Sequence, residues 1–133
     1  GARGPLKKIR YRNELAGMAL NLSDMEALDL WRRAVLAGVR REAPDLSARQ
    51  MAVLLTVYLT APPHTVRGLA AELNVSKPAI TRALDRLGQF EMVRRKVDET
   101  DRRNVLVQRT VKGSVFLREW GSIVSRAAEE IER

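Results

Sequence analysis

The sequence predicts a mainly α fold with a small β component (α+β), in which a helix-turn-helix is followed by a two-stranded hairpin. Apolar residues recur every three or four positions along most of the chain, which is the period of an amphipathic helix. Between two such segments, Asn74 and Ser76 mark a tight turn, since Asn tolerates a left-handed backbone and Ser caps helix N-termini. Later, two short runs of β-branched residues flank a polar loop, a pattern typical of a hairpin.

Composition limits the kinds of protein that this chain can be. Its 133 residues, 45% apolar and 30% charged, suit one domain with a single core. No apolar run approaches the roughly 18 residues of a membrane span, and the basic N-terminus lacks the apolar segment of a secretory signal. We therefore expect a cytoplasmic protein without a membrane partner. The absence of cysteine excludes disulfides, thiolate metal sites and thiol redox switches.

The positive charge is concentrated in two parts of the chain. The net charge is +8, and residues 65–113 carry eleven Lys or Arg against six Asp or Glu. Residues 1–23 carry five bases and one acid, whereas the remainder is nearly balanced. Segregated positive charge of this kind indicates a polyanionic partner, and nucleic acid is the leading candidate.

Two regions are predicted, a basic N-terminal arm at residues 1–22 and one domain at residues 23–133. The arm alternates bases with apolar residues without a sustained helical period. Its bases include Lys7, Lys8, Arg10 and Arg12. Contact with phosphates is one hypothesis for the arm, and a flexible tail or a strap on a partner subunit is the favoured one.

Long amphipathic helices are predicted at both ends of the domain, at about 23–42 and 111–132. A Ser-x-x-Glu capping box at Ser23 opens the first, and Thr110 caps the second. The first carries apolar residues at Met25, Leu28, Trp31, Val35 and Val39. The second carries them at Val115, Phe116, Trp120, Ile123, Val124, Ala127 and Ile131. These faces exceed what one small core can cover, so both helices are predicted to dimerise.

A lobe that would bind DNA is predicted between them, at about 47–110. A capping box at Ser47 opens its first helix, which ends before Pro62 and Pro63. The helix-turn-helix follows, and Pro78 lies in the first turn of its second helix, where a missing N–H costs nothing. The buried stripe of this second helix is predicted at Ile80, Ala83, Leu84 and Leu87.

The opposite face of this second helix is polar and largely basic. Its candidate contact residues are Ser76, Lys77, Pro78, Thr81, Arg82 and Arg86. Such a face suits the major groove, where hydrogen-bond donors can reach base edges and phosphates. We predict that Thr81 and Arg82 reach base edges, with Ser76, Lys77 and Arg86 nearer to phosphates. A solvated helix pair that binds nothing is the alternative interpretation.

The predicted hairpin would form a wing beside that helix. Arg94, Arg95 and Lys96 lead into its polar loop, Asp98 to Arg103. Arg95, Arg102 and Arg103 are candidate DNA contacts, with the two loop arginines in or beside the minor groove. Asp98 or Asp101 is predicted to pair with a neighbouring arginine and so to fix the loop. Alternatively, Asp101 and Arg103 pair only with each other in solvent.

The order of elements and these motifs resemble the MarR family of bacterial winged helix-turn-helix transcription regulators, over about Leu46 to Gly113. In the helix-turn-helix the similar residues are Leu73, Asn74, Val75, Ser76, Ile80, Thr81, Arg82, Leu84, Asp85, Arg86 and Leu87. In the wing and its close they are Val93, Arg95, Asp101, Arg103, Thr110 and Gly113. Two positions depart from the family pattern: Glu91 stands where Gly is usual, and Arg109 stands where Leu is usual.

The resemblance implies a dimeric transcription regulator, expected to be a repressor, that binds an inverted-repeat operator in double-stranded DNA. The second helix of the helix-turn-helix would be the recognition helix in the major groove, with the wing at the minor groove. The alternative is a winged-helix module for protein contacts, whose recognition face should be more apolar. No catalysis, cofactor or metal is expected, because the lone His64 is interpreted as a loop residue with no cysteine or acidic cluster to join it.

The resemblance also implies a candidate ligand. Many members of the family bind small aromatic acids between the lobe and the dimerisation helices. Trp31, Tyr58 and Arg32 or Arg33 are candidates for lining such a cleft, although Trp31 is more simply interpreted as a core residue.

Overall fold

The computed structural model describes residues 22–132, so the predicted arm lies outside the described residues except for its last position. In chain order the elements are α1 (Asp24–Arg40), α2 (Ala48–Leu59), β1 (His64–Thr65), α3 (Val66–Leu73), α4 (Lys77–Gln89), β2 (Val93–Val97), β3 (Val105–Arg109) and α5 (Val111–Glu132). The predicted fold class, with a helix-turn-helix at α3 and α4 and a wing at β2 and β3, is confirmed.

The described residues form two compact units. Residues 22–45 with 117–132 form one, which we call the helical unit, and Leu46–Phe116 form the other, which we call the winged-helix unit. The helix α5 begins in the winged-helix unit and continues into the helical unit. The single domain expected over residues 23–133 stays a prediction.

Two helices begin where the predicted capping boxes place them. Ser23 Oγ accepts a hydrogen bond from the N–H of Glu26 at 3.1 Å, and Glu26 Oε1 accepts one from the N–H of Ser23 at 3.0 Å. Ser47 and Gln50 make the same reciprocal pair at 3.1 and 2.9 Å. Because each box satisfies backbone donors that a helix start leaves free, these boundaries are determined locally.

The core of the winged-helix unit forms where α4 packs against α2 and α3. Its most buried side chains, all 0 or 1% exposed, are Val53, Leu54, Val57, Leu69, Ile80, Leu84 and Leu87. The apolar stripe predicted for α4 therefore faces the core, which leaves its polar face to solvent.

The sheet has one more strand than the sequence predicted. Its order is β1-β3-β2, and all neighbours are antiparallel. His64 pairs with Val107 and Thr65 with Leu106, so the interpretation of His64 as a loop residue is wrong. A strand of two residues has no periodicity of its own and exists only through its distant partner.

The wing and α5 meet around the hydroxyl of Tyr58. This hydroxyl accepts a hydrogen bond from the N–H of Thr110 at 2.8 Å and lies 2.7 Å from the carbonyl oxygen of Met92. Thr110 Oγ1 accepts from the N–H of Gly113 at 2.9 Å, as expected for a residue that caps α5. A Cβ at Gly113 would overlap the Tyr58 hydroxyl and the Met92 carbonyl, so only glycine fits this junction.

The first departure from the family pattern, Glu91, lies at the end of α4. Its φ of 60° is left-handed, a conformation that glycine adopts with little strain. The N–H of Met92 bonds to the carbonyl of Leu87 and that of Glu91 to the carbonyl of Gly88, both at 2.9 Å. These bonds form a Schellman motif, in which this position is usually Gly. Glu91 therefore keeps the conformation that Gly would supply.

The second departure, Arg109, has a structural role at the end of α2. Its Nε donates to the carbonyl of Val57 at 2.9 Å and its Nη2 to the carbonyl of Thr60 at 3.0 Å. A helix leaves its last carbonyls without intrahelical partners, and a basic side chain can supply them. Arg109 thus joins β3 to α2, a contact that Leu could not make.

The helical unit consists of α1 and the C-terminal part of α5. Ala34 and Ala127 are 1% and 6% exposed, and Gly38 leaves room for the ring of Trp120. Two ion pairs join the helices, Arg33 with Glu130 at 2.7 Å and Arg41 with Glu119 at 3.1 Å. Small residues therefore let these two helices approach closely, and the partly exposed ion pairs at their flanks add only modest stability.

An uncovered apolar stripe runs along α1. Its members and their exposed fractions are Met25 73%, Leu28 59%, Trp31 62%, Val35 40% and Val39 68%. The interpretation of Trp31 as a core residue is wrong for the single chain, because the side that it occupies is not the side that packs on α5. On α5, by contrast, Phe116 and Ala127 are buried, and Trp120, Ile123, Val124 and Ile131 are half-buried.

Candidate nucleic-acid interface

The start of α4 has the geometry that the sequence predicted. Asn74, after α3, has a left-handed φ of 56°. Ser76 caps α4, its Oγ accepting a hydrogen bond from the N–H of Ala79 at 3.2 Å. The hydroxyl hydrogen of Ser76 stays available to donate. Pro78 lies within the first two helical positions, so this helix start is well defined.

All six predicted contact residues on α4 are exposed. They are Ser76, Lys77, Pro78, Thr81, Arg82 and Arg86. Within residues 22–132, the side chains of Lys77, Thr81 and Arg82 make no hydrogen bond or ion pair. Their donors can therefore bind an external ligand without first breaking a bond to the described part of the chain.

The C-terminal half of α4 is tied to its surroundings instead. The guanidinium carbon of Arg86 lies 4.6 Å from the centroid of the Phe90 ring, a cation–π contact. Arg95, on β2, forms an ion pair with Asp85, with 2.8 Å between Nη2 and Oδ1. Arg86 and Arg95, two of the residues predicted to contact DNA, thus already have internal partners.

In the wing loop, Asp101 holds Arg103 in a two-pronged ion pair. Nε and Nη2 of Arg103 each lie 3.0 Å from a carboxylate oxygen of Asp101. The same carboxylate accepts from the N–H of Arg103 at 3.2 Å. The side-chain bond from Arg103 is the main reason that the pKa of Asp101 lies below its ordinary value of 3.8, followed by the backbone bond, with a smaller electrostatic contribution from Arg67.

Asp98 fixes the loop in a different way. Its Oδ1 accepts from the hydroxyl of Thr100 at 2.7 Å and from the N–H of Thr100 at 2.9 Å, and these bonds lower its pKa. Its own N–H donates to the carbonyl of Asn104 at 3.1 Å across the loop. Of the two acids considered, Asp101 therefore makes the predicted pair with an arginine, and Asp98 bonds to a hydroxyl and to backbone groups.

The wing presents further arginine charge to solvent. Arg103 has 82% of its side chain exposed despite its pairing. Arg102 is 75% exposed and lies 3.8 Å from Glu99, itself 74% exposed. An exposed pair at that distance holds its partners weakly. The loop tip therefore carries one oriented arginine and one loosely held arginine.

Three contributors to this surface were not predicted from the sequence. Asp85 forms an ion pair with Arg95, and Phe90 contacts Arg86. Arg67, on α3, helps to lower the pKa of Asp101. The contact of Arg86 with Phe90 spans four positions, a spacing that can be read from a helical sequence. The other two depend on how the wing lies against the helices, for which the sequence carries no local signal.

The helix α4 directs its donors outward, follows the short helix α3 and precedes an antiparallel basic wing. This arrangement defines a winged helix-turn-helix protein, in which α4 is the recognition helix. Residues 46–105 match the MarR family, so this part of the chain carries a domain of that type.

Several solved structures are similar to this chain in fold. A point mutant of S. aureus MepR matches with a TM-score of 0.67 and 18% identity, over 84% of this chain and 83% of that chain. The S. aureus MepR–DNA complex matches with a TM-score of 0.61 and 19% identity, over 77% of this chain and 78% of that chain. CouR from Rhodococcus jostii, bound to p-coumaroyl-CoA, matches with a TM-score of 0.56 and 25% identity, over 77% of this chain and 67% of that chain. No curated protein sequence matches significantly.

The described part of the chain contains neither a cluster of metal ligands nor a membrane-spanning helix. In residues 22–132, no three His, Asp or Glu side chains come together as a metal site would require. None of the helices there combines the length and the apolar character needed to cross a membrane.

Proposed function

We propose that the protein is a dimeric transcription regulator that binds double-stranded DNA sequence-specifically and acts as a repressor, not an enzyme. In this proposal the recognition helix α4 enters the major groove and the wing lies at the minor groove. The bound form would occupy the nucleoid of a bacterial cytoplasm. Repression follows physically if the dimer covers its operator and excludes other proteins from that DNA.

The observation that carries the proposal is the outward face of α4. Lys77, Thr81 and Arg82 are exposed donors without internal partners in the described chain. The wing of the same unit carries Arg102 and Arg103, also exposed. Major-groove readout needs unpaired donors, and the minor groove attracts arginine. The S. aureus MepR–DNA complex, a structure of the same fold, supports this proposal.

The apolar stripe of α1 supports the dimer. Five large apolar side chains exposed on one helix face form a patch that a monomer rarely leaves uncovered. A closed two-fold pair would bury the same stripe from both copies. The two recognition helices should then read an inverted repeat with half-site centres about 10 base pairs apart.

Selection of duplexes from a random pool, followed by binding at several salt concentrations, tests the proposal. We expect an inverted-repeat sequence, with a slope of log K against log salt steeper than about −5, because several phosphates are neutralised per subunit. Binding without sequence preference, or a shallow slope, would contradict it. Capture of protein partners without any duplex binding would favour the protein-interaction module.

A small aromatic effector is a further part of the proposal, suggested by the p-coumaroyl-CoA complex of CouR. Such a ligand should weaken the binding of the selected duplex by favouring the unbound form. Titration of aromatic carboxylates and their thioesters into the protein–DNA complex tests this expectation, and unchanged affinity with all of them would contradict it.

A further inference from the structure

An ion pair connects the recognition helix to the wing. Arg95 Nη2 lies 2.8 Å from Asp85 Oδ1. Asp85 lies in the third turn of α4, one turn after Thr81 on the same outward face. Arg95 is the central residue of β2. The pair therefore joins the element proposed to enter the major groove to the element proposed to lie at the minor groove.

The strand separates Arg95 from the two bases beside it. Successive side chains on a strand point to opposite faces, so Arg95 lies on the face of Val93, which is 5% exposed. Arg94 and Lys96 lie on the other face, and their side chains make no hydrogen bond or ion pair within residues 22–132. Since α4 packs against β2, Arg95 is the one of these three bases that meets the helix.

This pairing and its limited exposure make Arg95 a poor phosphate contact. Only 36% of its side chain is exposed, whereas Arg103, which is also paired with a carboxylate, has 82% exposed and can still present its charge to DNA. The charge of Arg95 is offset by a carboxylate at hydrogen-bond distance, and a phosphate brought close to Arg95 would also approach the negative charge of Asp85. Breaking the pair to reach DNA would leave Asp85 unpaired at the interface. Arg94 and Lys96 carry no such cost.

We propose, on the basis of the DNA-binding function above, that Arg95 is a positioning residue that holds the wing strand against α4 through Asp85 and makes no phosphate contact. This differs from the sequence-based prediction, which placed Arg95 among the DNA contacts. The pair sets the distance between helix and wing, so that both reach their grooves in one bound geometry.

The test compares Arg95→Ala, Asp85→Ala and the double variant on the selected operator and on scrambled DNA, over a range of salt. Arg94→Ala is the matched control, because it removes the same charge from the same strand and leaves the pair intact. Since the side chains of Arg95 and Asp85 are 36% and 56% exposed, the variants should keep the unfolding transition of the wild type.

If Arg95 has a positioning role, removal of either Arg95 or Asp85 should weaken DNA binding to the same degree. Arg95→Ala and Asp85→Ala should each weaken operator binding about threefold to fivefold. The double variant should lose no more affinity than the more affected single variant, because all three variants remove the same ion pair. The salt slope should stay that of the wild type. Asp85→Glu should recover most of the affinity. Arg94→Ala should instead make the slope shallower by about one, because it removes one base that can neutralise a phosphate.

The opposite result would identify a phosphate contact. Asp85→Ala would then tighten binding, because it removes a negative charge beside the DNA, and Arg95→Ala would make the salt slope shallower. That outcome overturns the inference and leaves the proposed function standing. A wild-type protein that binds no duplex overturns both. Equal weakening by both single variants with an unchanged slope supports the positioning role.

Discussion

Arg82 and Arg103 are both exposed arginines, and they differ in what holds them. The Arg82 side chain has no partner within the described residues, whereas Arg103 is fixed by the carboxylate of Asp101. A free side chain on the recognition helix can adapt to a base edge. An oriented arginine in a loop can deliver charge to a groove of suitable width. The two residues should therefore contribute differently to recognition.

We predict that Arg82→Ala loses discrimination and Arg103→Ala loses affinity. Removal of a two-pronged base contact should cost Arg82→Ala about 1 to 3 kcal/mol on the operator and much less on scrambled DNA. Arg103→Ala should weaken both duplexes to a similar degree. Fluorescence anisotropy with both duplexes measures the difference. If Arg103→Ala binds both like the wild type, Arg103 pairs only with Asp101 and the wing tip does not contact DNA.

Gly113 provides a test of the junction around Tyr58. A methyl group there would overlap the Tyr58 hydroxyl and the Met92 carbonyl, so Gly113→Ala should lower the free energy of unfolding by about 1 to 3 kcal/mol. Gly88→Ala is the control in the same unit. It lies in α4, its Cβ would meet nothing within 4 Å, and it should raise stability by about 0.5 to 1 kcal/mol. Urea unfolding that gave equal stability for the two variants would contradict this packing.

At the scale of elements, the wing loop depends on two carboxylates whose pKa values are both below 3.8. A group with a lowered folded-state pKa stabilises the fold above its unfolded pKa, and this contribution is lost as the pH falls through the folded value. The loop should therefore stay ordered near neutral pH. Only below about pH 3.8 should protonation of the carboxylates break the hydrogen bonds between Thr100 and Asp98 and between Arg103 and Asp101.

Carboxyl carbon shifts in an acid titration by NMR measure this prediction. Both Asp98 and Asp101 should titrate below 3.8, and Arg103→Ala should return the pKa of Asp101 towards the ordinary value, because the bond from Arg103 is the main cause of its shift. Asp98 should be unaffected by that change, since Thr100 holds it. Titration of Asp101 at its ordinary value in the wild type would mean that the pair does not form in solution.

The helices were predictable because their signals are local. Ser23, Ser47 and Ser76 each cap a helix through bonds within three residues, and Asn74 adopts the left-handed turn that its residue type favours. The wing strands have β-branched residues on both sides of their loop. β1 was missed because its pairing partner lies more than forty positions away.

The candidate site was only partly predictable, for the same reason. Exposure of the α4 face follows from its apolar stripe. A pair between a loop carboxylate and a neighbouring arginine was also predicted, but the sequence did not decide between Asp98 and Asp101. The partner of Arg95 does not follow from the sequence, because Asp85 and Arg95 meet only once the wing has folded against α4. Likewise, helical spacing marks Trp31 as apolar without telling whether its own chain covers it.

At the scale of the whole molecule, the stripe on α1 should determine the oligomeric state. Full burial of a large apolar side chain contributes about 1.5 to 3 kcal/mol, so Trp31→Glu should weaken dimerisation at least about tenfold. Val111→Glu is the control, since Val111 is 83% exposed and belongs to another helix, α5. Analytical ultracentrifugation measures both. A Trp31→Glu variant that dimerises like the wild type would show that the partner uses another surface.

Trp31 also provides an intrinsic fluorescence probe of subunit association. The sequence holds two tryptophans, Trp31 and Trp120, and both lie outside the winged-helix unit. Indole emission shifts to the blue when water is excluded from the ring. Trp120 is half-buried already, whereas Trp31 has most of its surface to lose. Dilution of the unlabelled protein should therefore shift its emission to the red as subunits separate, and a Trp120→Phe variant should isolate that signal.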